Sequence, residues 1–242
     1  MKIASTLLMI GFMMTTLYPA SAQLKTSDLT GSWETGDQVK KTKIYTEQHF
    51  AVATYDLKEK KFVSTAGGKW KVNGSTIIET FEFHTEHPDL IGKEVSYTAD
   101  HKKDKLTLSA SGNKEDWKKL DSGEPGKLAG AWLITGRMNN GEFSKITPGA
   151  RRTMKILSGT RFQWIAYNEE TKEFLGTGGG TYTTKDGKYT ENIEFFSRDN
   201  SRVGASLSFD FEIKDGNWHH SGLSSKGDPI NEVWTKREKV GI

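Results

Sequence analysis

Apolar and polar residues alternate along most of the chain. The cleanest run sets Leu207, Phe209, Phe211 and Ile213 against Ser206, Ser208, Asp210 and Glu212. That period of two belongs to a strand with one buried face. Val95-Tyr97-Ala99 and Leu106-Leu108-Ala110 follow the same rule. Asn73-Gly74, Asp186-Gly187 and Asp215-Gly216 fall between such runs. These pairs accept positive φ and so mark hairpin turns. Outside the first 22 residues no window sustains a helical apolar period. Strands at roughly ten-residue spacing predict an all-β chain, folded as a sandwich or an up-and-down barrel.

The pattern occurs twice. Residues 43–84 and 155–196 coincide at a constant offset of 112 without a gap. Phe50 falls on Phe162, Tyr55 on Tyr167, Gly67-Gly68 on Gly179-Gly180, Glu79 on Glu191 and Glu82-Phe83 on Glu194-Phe195. Leu29-Thr-Gly-Ser-Trp33 is echoed by Leu128-Ala-Gly-Ala-Trp132 at an offset of 99, which leaves a 13-residue insertion between Trp132 and Lys155. A period this long indicates a duplicated domain, not a solenoid. The units run over 29–121 and 128–238, joined by a linker at 122–127.

Composition narrows the setting. Lys2, the apolar run Leu7 to Met14 and Ala20-Ser21-Ala22 describe a leader cleaved before Gln23. The expected product is exported, to the periplasm or beyond. No later run reaches the roughly 20 apolar residues of a spanning helix. The 242 residues include no Cys, so neither disulfides nor a thiolate site enter. Acids and bases are interleaved, with no basic block to suggest a nucleic-acid partner.

Gly31-x-Trp33 and Gly130-x-Trp132, each opening an all-β unit, resemble the first-strand motif of the lipocalin and wider calycin barrels. The runs Gly179-Gly-x-Tyr182, Tyr189-Thr-Glu-x-Ile-Glu-Phe195 and Gly227-x-x-Ile-x-Glu-x-Trp234 are similar to a lipocalin-like family of secreted bacterial proteins of unknown function. The second unit matches that longer pattern well, and the first is a diverged copy. The resemblance implies two tandem lipocalin-like antiparallel β-barrels, each with a cavity. It also implies a basic residue from the last strand over each opening Trp: Arg237 over Trp132, and Lys118 or Lys119 over Trp33.

Alternation places Tyr189, Glu191, Ile193 and Phe195 on one strand face, and Ile77, Glu79, Phe81 and Phe83 on its counterpart, with Glu82 and Glu194 pointing outward. A carboxylate on an apolar face must be paired, hydrogen-bonded or protonated. Glu191 is thus either a ligand anchor or a group tied within the protein. His220 and Trp218 stand where the first unit has Leu108 and Leu106. With Glu232, Trp164 and Tyr167 they make a candidate lumen for a small, partly apolar or aromatic molecule. The alternative is a His pair turned outward and a Trp filling the core.

His84-Thr-Glu-His87 with Asp89 lacks convincing metal spacing. Gly178-Gly-Gly180 lacks the helix and Lys-Ser/Thr of a phosphate loop and reads as a strand-to-strand bend. No cofactor motif or catalytic signature is present. The expected function is an exported small-molecule-binding protein. The competing classes are an enzyme using His220 with Glu191 or Glu232, and a ligandless envelope module. In the insertion, the resemblance to lipocalins, whose loop after the opening strand folds over the open end, implies that Met138, Phe143 or Ile146 covers the mouth of the second cavity, with Arg151 and Arg152 on its rim. The alternative is an extended first hairpin packing those apolar residues between the barrels.

Overall fold

The computed structural model describes residues 23–242 except Pro125, Asn140 and the side chain of Asn139. The leader expected at 1–22, part of the linker and the centre of the Asn139-Asn140-Gly141 turn lie outside the described residues. A helical turn, α1 (Thr26–Leu29), precedes β1 (Gly31–Thr35), β2 (Val39–Tyr45), β3 (His49–Asp56), β4 (Lys61–Asn73), β5 (Thr76–His84), β6 (Glu94–Lys102), β7 (Lys105–Ala110) and β8 (Asn113–Asp121). The second half supplies β9 (Gly130–Asn139), β10 (Glu142–Lys145), β11 (Arg151–Leu157), β12 (Arg161–Asn168), β13 (Glu173–Lys185) and β14 (Lys188–Phe196). After these come β15 (Ser206–Lys214), β16 (Asn217–Leu223), β17 (Pro229–Lys236) and a last turn, α2 (Arg237–Val240). Every pairing is antiparallel. β8 closes on β1 and β17 on β9, giving two eight-stranded barrels, with β10 added to the end of β9. The chain is all-β, two lipocalin-like barrels in tandem.

Each barrel is shut at its base by the Trp of the Gly-x-Trp motif. Trp33 Nε1 donates to the Leu29 carbonyl at 2.7 Å and Trp132 Nε1 to that of Leu128 at 2.8 Å. Lys119 lies 5.0 Å over the Trp33 ring, as expected. Over Trp132 the cation is Lys236, at 4.9 Å, and not Arg237. The Arg237 side chain instead lies between the barrels, bonding the Ile242 carbonyl and Met154 Sδ of its own half and Glu82 of the other.

The two glycine runs lie inside strands, not at bends. β5 bulges opposite Gly67 and Gly68 of β4, and β14 opposite Gly179 and Gly180 of β13. A Cβ on Gly180 would sit 2.0 Å from the Asn192 carbonyl oxygen, and one on Gly68 would sit 2.1 Å from that of Thr80. The partner strands skip Glu82 and Glu194, so one residue is left out of the ladder and the faces exchange beyond it. Strict alternation therefore fails at Phe83 and Phe195, which face the other barrel. Phe196 and His84 turn inward in their place.

The barrels meet through equivalent faces, an approximately two-fold arrangement within one chain. Phe83 packs on Tyr167 at 4.9 Å and Phe195 on Tyr55 at 4.8 Å. Tyr167 donates to Glu82 at 2.6 Å and Tyr55 to Glu194 at 2.8 Å. Gln163 Nε2 bonds both Thr65 and Thr177, which occupy matching positions. Arg237, fully buried, pairs with Glu82 at 2.6 Å, and Arg152 approaches the same carboxylate at 3.3 Å. Asp121, the last residue of β8, accepts from Ser158, Gly159 and Thr160 and fastens the linker end to the second barrel.

The insertion is no lid. It lengthens β9 and adds β10 as a hairpin, with Ile146 tucked against the second core. Met138 and Phe143 stay exposed, and none of the three lines the cavity. Phe143 lies across Gly136, where a Cβ would be 2.4 Å from its ring. Arg152 stands in the interface between barrels instead of on a rim.

Candidate functional site

The second barrel encloses an open cavity of about 590 Å³. Its floor is a buried ion pair that β2 and β11 create in the same way in each half. On β11 the side chains of Met154 and Ile156 face the first barrel, so alternation turns Lys155 inward. Lys155 Nζ lies 2.7 Å from Glu191 Oε1, which also accepts from the Tyr189 hydroxyl at 2.9 Å. The ammonium sits among Tyr189, Phe209, Trp218 and Trp234 at 5.0–5.8 Å from their ring centres. In the first barrel Lys43 Nζ lies 2.9 Å from Glu79, with Tyr45 donating at 2.5 Å. The bonding is the same but the tyrosine comes from another strand. Tyr45 corresponds to Leu157, and Tyr189 to Ile77. Burying a charge pair is favourable only when the partners meet and the remaining polar atoms are satisfied.

Above this floor stands His220, 2% exposed. Its Nδ1 is 3.5 Å from Glu232 Oε2, too long for a hydrogen bond, and neither ring nitrogen has a partner. Burial and the nearby Lys155 ammonium push its pKa down despite Glu232 and Glu191, so the ring is neutral at pH 7. Glu232 accepts from Arg137 at 2.9 Å and from the Trp234 indole at 3.2 Å. Burial opposes its charge, but the nearby Lys155 and Arg137 cations outweigh it and hold the carboxyl below the usual range. Trp164, Ile193, Phe196, Leu207, Phe209 and Ile230 form the apolar wall. At the mouth, Arg198 stacks 5.8 Å over Trp164 and Arg202 pairs with Asp199 at 3.1 Å, beside Lys226.

Of the residues expected in the lumen, Glu191, His220, Glu232 and Trp164 come together around this cavity. Trp218 is inside the barrel but beneath the cavity. It is fully buried against Trp132, Tyr189, Trp234 and His220 and fills the base. Tyr167 is not in the lumen. Three positions from Trp164 on one strand, it must point to the opposite face, and it belongs to the interface with Glu82. The reading from sequence missed Lys155: its neighbours Met154 and Ile156 are the apolar residues of β11, yet they face the other barrel. It also missed Phe196, which only the bulge turns inward. Among the described residues no three His, Asp or Glu side chains converge as a metal site would require.

Topology, the capped Trp at each base and the open lumen above define a pair of lipocalin-like barrels with a ligand-sized cavity in the second. Residues 127–240, which contain that barrel, match a family described as a domain of unknown function, DUF4488. A lipocalin-like protein from Bacteroides uniformis is 17% identical over 38% of this chain and 99% of its own, with a TM-score of 0.31. The Helicobacter pylori β clamp, solved bound to a DNA ligase peptide, is 8% identical over 85% of this chain and 57% of its own, with a TM-score of 0.17. No curated protein matches the chain.

Proposed function

We propose that this is an exported small-molecule-binding protein whose ligand occupies the second barrel. The observation that carries the reading is His220: a neutral imidazole, 2% exposed, on the wall of an open cavity with both nitrogens unpartnered. Buried polar groups are nearly always satisfied, and an unsatisfied one costs about 1–3 kcal/mol. A ligand hydroxyl or carbonyl reaching His220 would satisfy it. The wall of Trp164, Phe196, Leu207 and Ile230 suits an aromatic or aliphatic body, and Arg198 and Lys226 suit an acidic group at the mouth. The leader-like pattern of residues 1–22 is the ground for proposing export.

Anilinonaphthalene sulfonate, an aromatic acid, is a suitable probe. The mature chain should bind it saturably at one site with blue-shifted emission. Trp164→Ala should weaken binding roughly tenfold, the equivalent of one stacked aromatic contact. Absence of saturable binding, or equal affinity in the two proteins, would contradict the reading.

A further inference from the structure

The first barrel, although the more diverged copy, holds a cavity of its own, of about 510 Å³. The strand registers give its wall position by position against the second. Val52 stands for Trp164, Thr54 for Ala166, Ser64 for Gly176, His84 for Phe196, Glu86 for Arg198 and Tyr97 for Phe209. The exchanges replace apolar groups with hydroxyl and imidazole groups. The internal charges cancel in pairs, Lys43 with Glu79 and Lys41 with Glu115. What remains inside is uncharged hydrogen-bonding capacity. One indole adds to it. Trp117 lines the cavity at 2% exposure and its Nε1 has no partner. In the second barrel the equivalent Trp234 donates to Glu232, whereas here Glu115 has turned to Lys41.

We propose that the first barrel is a second, separate binding site, for an uncharged polyhydroxylated small molecule of sugar type. The half-buried Tyr97 ring lines the wall and offers aromatic surface to C–H groups. The Trp117 N–H, the Ser64 and Thr54 hydroxyls and the Asn113 amide supply donors and acceptors at several heights of the wall. An apolar acid is disfavoured by the loss of Trp164 and Phe196 equivalents and by the exposed Glu86 carboxylate. This goes beyond the reading of the second barrel and does not depend on it.

The test is calorimetric titration of the mature chain with glucose, galactose, N-acetylglucosamine, maltose and lactose at millimolar concentration. At least one should bind with a stoichiometry of one. Trp117→Phe keeps the ring and removes the donor, and should weaken that sugar roughly threefold to tenfold. Ser64→Val should do the same, and serves if the tryptophan variant folds poorly. Neither should alter the binding of anilinonaphthalene sulfonate. The proposal is overturned if no sugar gives saturable heat, or if the sugar's affinity survives both substitutions. It is also overturned if the dye occupies the first barrel as a second equivalent.

Discussion

The two barrels share a floor and differ in the wall above it. Each buries a lysine paired with a glutamate, ringed by aromatic groups and completed by a tyrosine hydroxyl. The lysine and glutamate keep their places in the repeat, and the tyrosine does not. What is retained is thus the satisfaction of a buried charge pair, whichever strand supplies the third member. Above the pair the second barrel is aromatic and basic at its rim, while the first mixes hydroxyl groups with smaller apolar ones. Duplication fixed the frame and left each lumen free to acquire its own chemistry.

The largest effect should come from breaking that shared floor. Lys155→Met leaves Glu191 charged and unpaired, and should cost about 3–5 kcal/mol in denaturant unfolding. Glu191→Gln, which strands the lysine, should cost a comparable amount. Lys155→Met combined with Glu191→Leu should recover most of the loss, because two apolar groups leave no orphaned charge. Lys43 and Glu79 should behave alike. If only one barrel's pair shows this, the common floor is not a common structural element.

The interface sets a second contrast. Glu82 carries Arg237, Arg152 and Tyr167 in a buried position, whereas Glu194 is 21% exposed with Arg161 and Tyr55. Glu82→Ala should therefore cost about 3–5 kcal/mol, and Glu194→Ala about 1–3 kcal/mol. Equal losses on chemical denaturation would mean the two-fold interface is energetically symmetric after all.

Much of this architecture is legible in the sequence and some of it is not, for identifiable reasons. Alternation and turn pairs mark the strands. Asp186-Gly187 and Asp215-Gly216 do adopt positive φ, at 51° and 74° and at 52° and 72°. The same alternation places Glu191, His220, Glu232 and Trp164 inward. The failures fall where a strand breaks step or buries both faces. A bulge at Glu194 exchanges Phe195 for Phe196, and nothing in the hydrophobic pattern marks it except the glycine pair opposite. Strands at the interface are covered on both sides, so apolar residues no longer identify the inward face. Tyr167 is misread, and Lys155 missed, for that reason. Arg237 is expected over Trp132 by resemblance, but its neighbour Lys236 takes the place and frees it to cross to Glu82.

Acid should weaken the protein through two histidines held neutral, His49 and His220. His49, in the interface, is pushed down to about 3 by burial and by Arg237. A group whose folded pKa is depressed gives stability that is present above its unfolded value, near 6.5, and lost as pH falls toward the folded one. Between pH 6.5 and pH 5, His49 alone should remove about 2 kcal/mol. His49→Leu should flatten that part of the stability profile. An unchanged slope would show that His49 is free to protonate in the folded state.

The smallest effect concerns His220 against its counterpart, Leu108. His220→Leu removes an unpartnered imidazole from the second barrel and should leave stability equal or raise it by about 1 kcal/mol. Affinity for a ligand that bonds His220 should fall at the same time. A clear loss of thermal stability would mean the ring supports the core and not a ligand.

The claim that one lumen takes an aromatic or aliphatic acid and the other does not is tested most directly by plugging each in turn. Ile193 and Phe81 occupy equivalent positions facing the two cavities. Titration with anilinonaphthalene sulfonate should give one saturable site in the parent and in Phe81→Trp, and none in Ile193→Trp. Loss of the site in Phe81→Trp, or its survival in Ile193→Trp, would contradict the account.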